Sequence, residues 1–244
     1  MRLMKRILSA AAVLALSASL LVGCSSGTAS SVPVSASSAA ESTVSSVEET
    51  ASSAVDENEA AAAQLLNDLT GSYQELWPVI LADEYKQTWL DDCTALVGED
   101  NAEAAFEKLS SMVTGDVYGE DAVKAYANGG GAYFCGFTNS LATLTFDGET
   151  STISGTDKDG NVLFSHTYHY IGMEPVHGLY EFESDDADSG EFTYFFLAPD
   201  TSAETYHIEF RYGSDAEALS QYDAGEYAYW VASGISTDCD QTMI

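Results

Sequence analysis

From about Tyr133 onward the apolar residues of this chain recur at every second position, and that alternation limits its fold more than any other feature. "SLATLTFDGETSTISGTDKDGNVLFSHTYHYIG" alternates apolar with polar residues, the pattern of half-buried strands, whose successive side chains face opposite sides. Asp147-Gly148 and Asp159-Gly160 interrupt it as hairpin turns, because Asp-Gly adopts the backbone that a tight turn needs. "GLYEFES", "EFTYFFLAP" and "TYHIEFRYG" read as three more strands, separated by "SDDADSGE" and "DTSAE". Six or so short antiparallel strands with tight turns predict a small barrel or a strongly curled sheet. Next, "SDAEALSQY" offers Ser214 as a helix N-cap, with Glu217 three residues on completing a capping box. The aromatic group Tyr222, Tyr227, Tyr229 and Trp230 closes the domain.

Ahead of the strands lies a helical lead-in. In "AAAQLLNDLTGSYQELWPVIL", Leu65, Leu66, Leu69, Tyr73, Leu76 and Trp77 fall at spacings of one, three and four, which predicts one helix with a single apolar stripe, ended or kinked at Pro78. "DEYKQTWLDDCTALVG" and "NAEAAFEKLSSMVTG" follow as helices, with Gly115 as a stop and with stripes expected to cover the sheet.

The first six residues hold Arg2, Lys5 and Arg6, and the uncharged run Ile7–Val22 follows. That run is shorter than the roughly 20 residues a membrane helix needs, so it reads as an export signal. Leu21, Val22, Gly23 and Cys24 resemble the bacterial lipoprotein cleavage box, which implies cutting before Cys24 and lipid on its sulfur. Residues 1–23 are then the signal, and 24–59 are the lipidated cysteine with a disordered Ser/Ala-rich tether. Residues 60–244 form one folded domain on the extracytoplasmic side of a bacterial membrane. The tether lacks aromatics and cannot bury enough apolar surface to offset its ordering entropy. Its about 35 residues reach roughly 30–35 Å.

Removing the signal leaves 5 basic against 39 acidic residues, a charge near −34. Such a chain repels nucleic acid and attracts cations loosely. Cys93, Cys135 and Cys239 form no C-x-x-C, so no thiol metal site or redox motif is expected. They read as small buried residues or as one bridge with a cysteine left over.

The order of these pieces, a lead-in carrying "WPVILADEYKQTW", short strands, then "YFFLAPDT" and "TYHIEFRYGSDAEALSQY", resembles the ZinT family of lipocalin-like zinc-binding proteins of bacterial envelopes. The likeness runs from about Leu69 to Trp230. It implies a lipocalin-like (calycin-type) antiparallel barrel, a divalent metal, zinc, as ligand, and a metal importer as partner. The family's ligands are three histidines. One ends the strand before a hairpin, and two form a His-x-His pair on the returning strand. Laid on this chain, they fall on Asp200, Thr205 and His207, so one histidine of the three is kept. A cysteine pair of some members falls on His166 and Ser184, so that bridge is absent. The family's histidine-rich loop is missing too.

On a strand, Thr205, His207 and Glu209 share one face, while Tyr206, Ile208 and Phe210 take the other. Asp200, His207 and Glu209 are therefore the candidate metal ligands, with a carboxylate at Glu209 where the family has an aromatic. Zinc accepts imidazole and carboxylate donors. A set with one imidazole is weaker than three histidines and tolerates other divalent ions, manganese among them. The same alternation is also what any half-buried strand shows. The rival reading is a metal-free lipocalin-like module for a small apolar ligand or a partner protein, with an interior lined by aromatics such as Phe195 and with His207 facing solvent.

His166 and His169 are three apart and face opposite sides of a strand, and His177 sits in a loop; all three read as ordinary surface or turn histidines. "DDADSGE" lacks the glutamate of a calcium loop, whose twelfth position is Leu197. The chain carries no G-x-S-x-G, P-loop, H-E-x-x-H or G-x-G-x-x-G, so no enzyme is predicted.

Overall fold

The computed structural model describes residues 57–199 and 206–239. Within them, eight antiparallel strands close into a barrel of simple up-and-down order. They are β1 (Gly71–Glu75), β2 (Thr143–Asp147), β3 (Thr152–Thr156), β4 (Val162–Met173), β5 (Tyr180–Ser184), β6 (Tyr194–Leu197), β7 (Ile208–Gly213) and β8 (Ala232–Ser236). β8 pairs back onto β1, with Gln74 opposite Ile235, so the sheet has no free edge. This is the small barrel that the alternation allows, and it agrees with the lipocalin-like architecture that the resemblance implies. Both Asp-Gly pairs stand in the β2–β3 and β3–β4 turns.

The barrel interior is packed with rings. Phe164, Phe195, Phe210, Tyr212 and Trp230 are all buried. Phe195 lies 5.4 Å from Tyr212 between ring centroids, and Tyr212 lies 4.9 Å from Trp230. Tyr212 also ties the segment before β2 to the wall, because the Thr138 N–H donates to its hydroxyl at 2.6 Å. Ala62, Leu65, Leu66 and Leu69 add to this core from helix α1, residues 57–68 and the turn after it.

The lead-in is not one helix. α1 stops before Gly71, whose φ of +146° lies in the region that favours glycine. "GSYQE" then forms β1, which puts Tyr73 in the barrel core. Helical spacing and strand alternation both place Leu69 and Tyr73 on a buried face. The pairing of β1 with β2 and β8 decides between them. Only after β1 does the chain return to helix, in α2 (Leu76–Ile80). Pro78 sits inside its first turn, where the missing N–H costs no bond.

α3 (Lys86–Val97) and α4 (Glu99–Val113) stand as expected, but they pack chiefly on each other rather than covering the sheet. The Trp89 indole N–H donates to the Ile80 carbonyl at 2.8 Å and holds the pair to α2. The sequence pattern missed α5 (Glu120–Ala127). α6 (Ala216–Leu219) follows β7, and its N-cap is Asp215, not Ser214: the Asp215 carboxylate accepts the Ala218 N–H at 3.0 Å. Ser214 instead meets Glu191 and Tyr227. Cys93, Cys135 and Cys239 are all free thiols. Among the described residues, no helix is long and apolar enough to cross a membrane.

Candidate metal centre

β7 fixes the two faces on which the site depends. Ile208, Phe210 and Tyr212 point into the ring-packed interior. Glu209 and Arg211 therefore stand on the outside of the barrel, as does His207 one residue before the strand. This outer face is covered rather than bare. His207 is 7% exposed at its side chain and Glu209 22%. The imidazole Nε2 lies 3.8 Å from the Glu209 Oε1. Two donors of a tetrahedral zinc site with bonds of about 2.0–2.2 Å stand roughly 3.4 Å apart, so these two need to close by only a few tenths of an ångström.

Around this pair the wall is polar and buried. Ser233, opposite Glu209 on β8, is buried, and its N–H donates to the Cys135 carbonyl at 3.0 Å. That bond brings Cys135 against the same wall. Burial, and next the Glu209 carboxylate, push its thiol up to about 12. At neutral pH it therefore stays protonated, whereas metals are ligated by the thiolate. Next along β7, Arg211 is fully buried. Its guanidinium donates to the carbonyls of Leu219, Gln221 and Tyr227 and lies 4.2 Å from the centre of the Tyr222 ring. Burial lowers its pKa, and the charges around it oppose that.

Of the predicted ligands, the structure brings His207 and Glu209 together. Asp200 lies outside the described residues, as do Thr205 and the lipidation candidate Cys24. Among the described residues, no three His, Cys, Asp or Glu side chains are grouped so as to hold a metal ion. The interior is aromatic around a fully buried Phe195, yet His207 does not face solvent.

Tyr206 departs from the expected alternation. Its φ is +63°, and its ring packs with the cluster of Leu76, Ile80 and Ile235 instead of with Ile208 and Phe210. The ring centroid is 4.9 Å from that of His207. No periodicity signal reports a left-handed residue, so alternation alone could not have found this. Cys135 was legible only as a small buried residue or as half of a bridge, because its place beside Glu209 depends on strand pairing across the closed barrel.

The other histidines pair with acids of their own. On β4, His166 shares the inward row with Phe164 and Tyr168, and its Nδ1 lies 2.7 Å from Asp186. His169 faces out, 2.7 Å from Asp185 and 4.0 Å from Glu183. The acid-rich "SDDADSGE" loop thus meets β4 through two imidazoles. His177 is less ordinary than a turn histidine. Its ring lies 3.7 Å from Tyr222 between centroids, and its Nδ1 lies 3.4 Å from the buried Glu174 carboxylate.

No family model and no curated protein matches the sequence. Among solved structures, the chain is similar to the zinc-bound ZinT-like domain of Streptococcus pneumoniae AdcA. The identity is 16% over 73% of this chain and 88% of that one, with a TM-score of 0.45. It is also similar to zinc-bound AdcA from the same organism, at 16% identity over 72% of this chain, with a TM-score of 0.44. The chain spans 33% of the length of that AdcA structure.

Proposed function

We propose that this chain is a lipid-anchored, ZinT-like extracytoplasmic protein that binds a divalent metal ion, zinc first, and serves its uptake beside a metal importer. Lipid on Cys24 holds it to the membrane, and the tether lets the barrel stand off the surface. His207 is the nitrogen ligand and Glu209 an oxygen ligand. Asp200, which lies between β6 and β7 in sequence, is the third. The observation that carries this reading is the 3.8 Å approach of the His207 and Glu209 side chains on a covered part of the barrel wall. A buried imidazole and a largely buried carboxylate held side by side offer a cation two donors at little ordering cost. One imidazole with carboxylates binds zinc less tightly and less selectively than three histidines, so manganese is accepted as well.

One observation favours a second reading, a barrel that has lost its metal. Among the described residues, no three His, Cys, Asp or Glu side chains form a group that could hold a metal ion. Isothermal titration of the mature chain with zinc separates the two. The metal reading predicts one-to-one binding, weakened at least about tenfold, or roughly 1.4 kcal/mol, in His207→Ala and in Glu209→Gln. Absence of binding by the wild type, or unchanged affinity in His207→Ala, refutes it.

A further inference from the structure

Tyr126 and Tyr229 lie face to face. Their ring centroids are 3.7 Å apart and their planes differ by 7°. Packed aromatic rings usually stand about 4.5–7 Å apart, offset or edge-on. Overlap this close brings ring carbons near the roughly 3–3.5 Å separation of groups poised to react. The backbone builds the stack. Tyr126 sits in the last turn of α5, and the Gly129 and Gly130 N–H groups donate to the Tyr126 and Ala125 carbonyls and close that turn. Tyr229 has a left-handed backbone, with φ at +57°. Its N–H donates to the Tyr222 carbonyl at 2.8 Å, and its carbonyl accepts the Phe134 N–H at 3.0 Å. Gly131 leaves room for the stack, since a Cβ there would stand 3.1 Å from the Tyr126 Cε1. Both tyrosines are partly exposed, and residues 127–131, which follow Tyr126, are exposed. Burial, and next the neighbouring phenols of Tyr133 and Tyr229, push the Tyr126 hydroxyl up to about 12, so it is an uncharged phenol at neutral pH.

We infer that this pair is a site of oxidative cross-linking, at which a one-electron oxidant of the haem-peroxidase class, supplied with hydrogen peroxide, joins the two rings as dityrosine. Each phenol gives up one electron and its hydroxyl proton. The two phenoxyl radicals form one carbon–carbon bond between positions ortho to their oxygens, and the hydrogen on each of those carbons moves to its oxygen. Hydrogen peroxide takes up the two electrons and two protons and leaves as two waters. Other tyrosine pairs among the described residues are not poised in this way. Tyr133 and Tyr229 stand 5.8 Å apart at 70°, and Tyr170 and Tyr180 stand 6.0 Å apart at 54°. The new bond ties α5 to the segment before β8, far away in the chain, and so removes loop-closure entropy from the unfolded state. The inference is independent of the metal reading.

The test treats the dilute, metal-free mature chain with a haem peroxidase and hydrogen peroxide. Monomer recovered from a denaturing gel is digested at glutamate, and its cross-linked peptides are identified by mass spectrometry. The expected main product joins the Tyr126 and Tyr229 peptides, is lighter than their sum by two hydrogen atoms and carries dityrosine fluorescence. Tyr126→Phe and Tyr229→Phe keep a ring in the stack and should each lose that product, whereas Tyr170→Phe should retain it. The treated wild type should also unfold at a higher urea concentration than treated Tyr126→Phe, when each is compared with its untreated form. Absence of dityrosine within the wild-type monomer, a main product at another pair, or survival of the product in Tyr126→Phe overturns the inference. An unchanged urea midpoint in the cross-linked chain overturns the staple.

Discussion

Replacing Arg211 by methionine tests whether the outer wall of β7 is built around a buried cation. The guanidinium is fully buried and donates to three carbonyls of the segment after β7, those of Leu219, Gln221 and Tyr227. Those oxygens belong to the backbone, so the substitution leaves them in place without their donor. A hydrogen bond from a charged donor contributes about 1.5–3 kcal/mol net. The Tyr222 ring, 4.2 Å from the guanidinium, adds up to about 2 kcal/mol when desolvated. Against this stands relief from burying a charge, several kcal/mol. The balance predicts a loss of about 3–5 kcal/mol, a large part of the roughly 5–15 kcal/mol that holds a domain. Arg211→Lys keeps three donors and a charge and should recover about half of the loss. Urea unfolding followed by tryptophan fluorescence measures both. The reasoning fails if Arg211→Met lies within about 1 kcal/mol of the wild type, because then the carbonyls find other donors and the cation is dispensable.

Gly213→Ala places a Cβ 2.5 Å from the Tyr227 ring, which cannot move freely because Trp230 lies 6.1 Å away. Overpacking of this kind should lower stability by about 1–3 kcal/mol in the same urea assay. Alkaline pH should act through Cys135. Its folded pKa, about 12, lies above the roughly 8.5 of an unfolded thiol. A raised pKa contributes stability that is complete below the unfolded value and is lost as pH rises toward the folded one. Between about pH 9 and 10, before most tyrosines titrate, stability should fall by up to about 1.4 kcal/mol per unit, and Cys135→Ala should flatten that slope in melts run across the range.

The strands from β2 to β7 were legible because a half-buried strand writes its two faces directly into alternate residues. β1 was not, because "GSYQE" also continues a helical spacing from Leu69 to Tyr73 and only its neighbours in the barrel distinguish the two. β8 was not, because "ASGIS" is small and buried on both faces, with Ala232, Ser233, Gly234 and Ile235 all buried, and so carries no contrast to read. For the site, alternation correctly placed His207 and Glu209 side by side. It misplaced Tyr206, whose direction is set by one backbone angle. It also missed the buried row of Ser233, Cys135 and Arg211 that walls in the pair, since those contacts join segments far apart in the chain.

The most direct test of the central claim is X-ray absorption at the zinc edge of the zinc-loaded mature chain. The His207–Glu209 site predicts a shell of nitrogen and oxygen at about 2.0–2.2 Å, with the outer scattering of a single imidazole that disappears in His207→Ala. A sulfur shell near about 2.3 Å, or a spectrum unaltered by that substitution, would place the ion elsewhere and contradict the account.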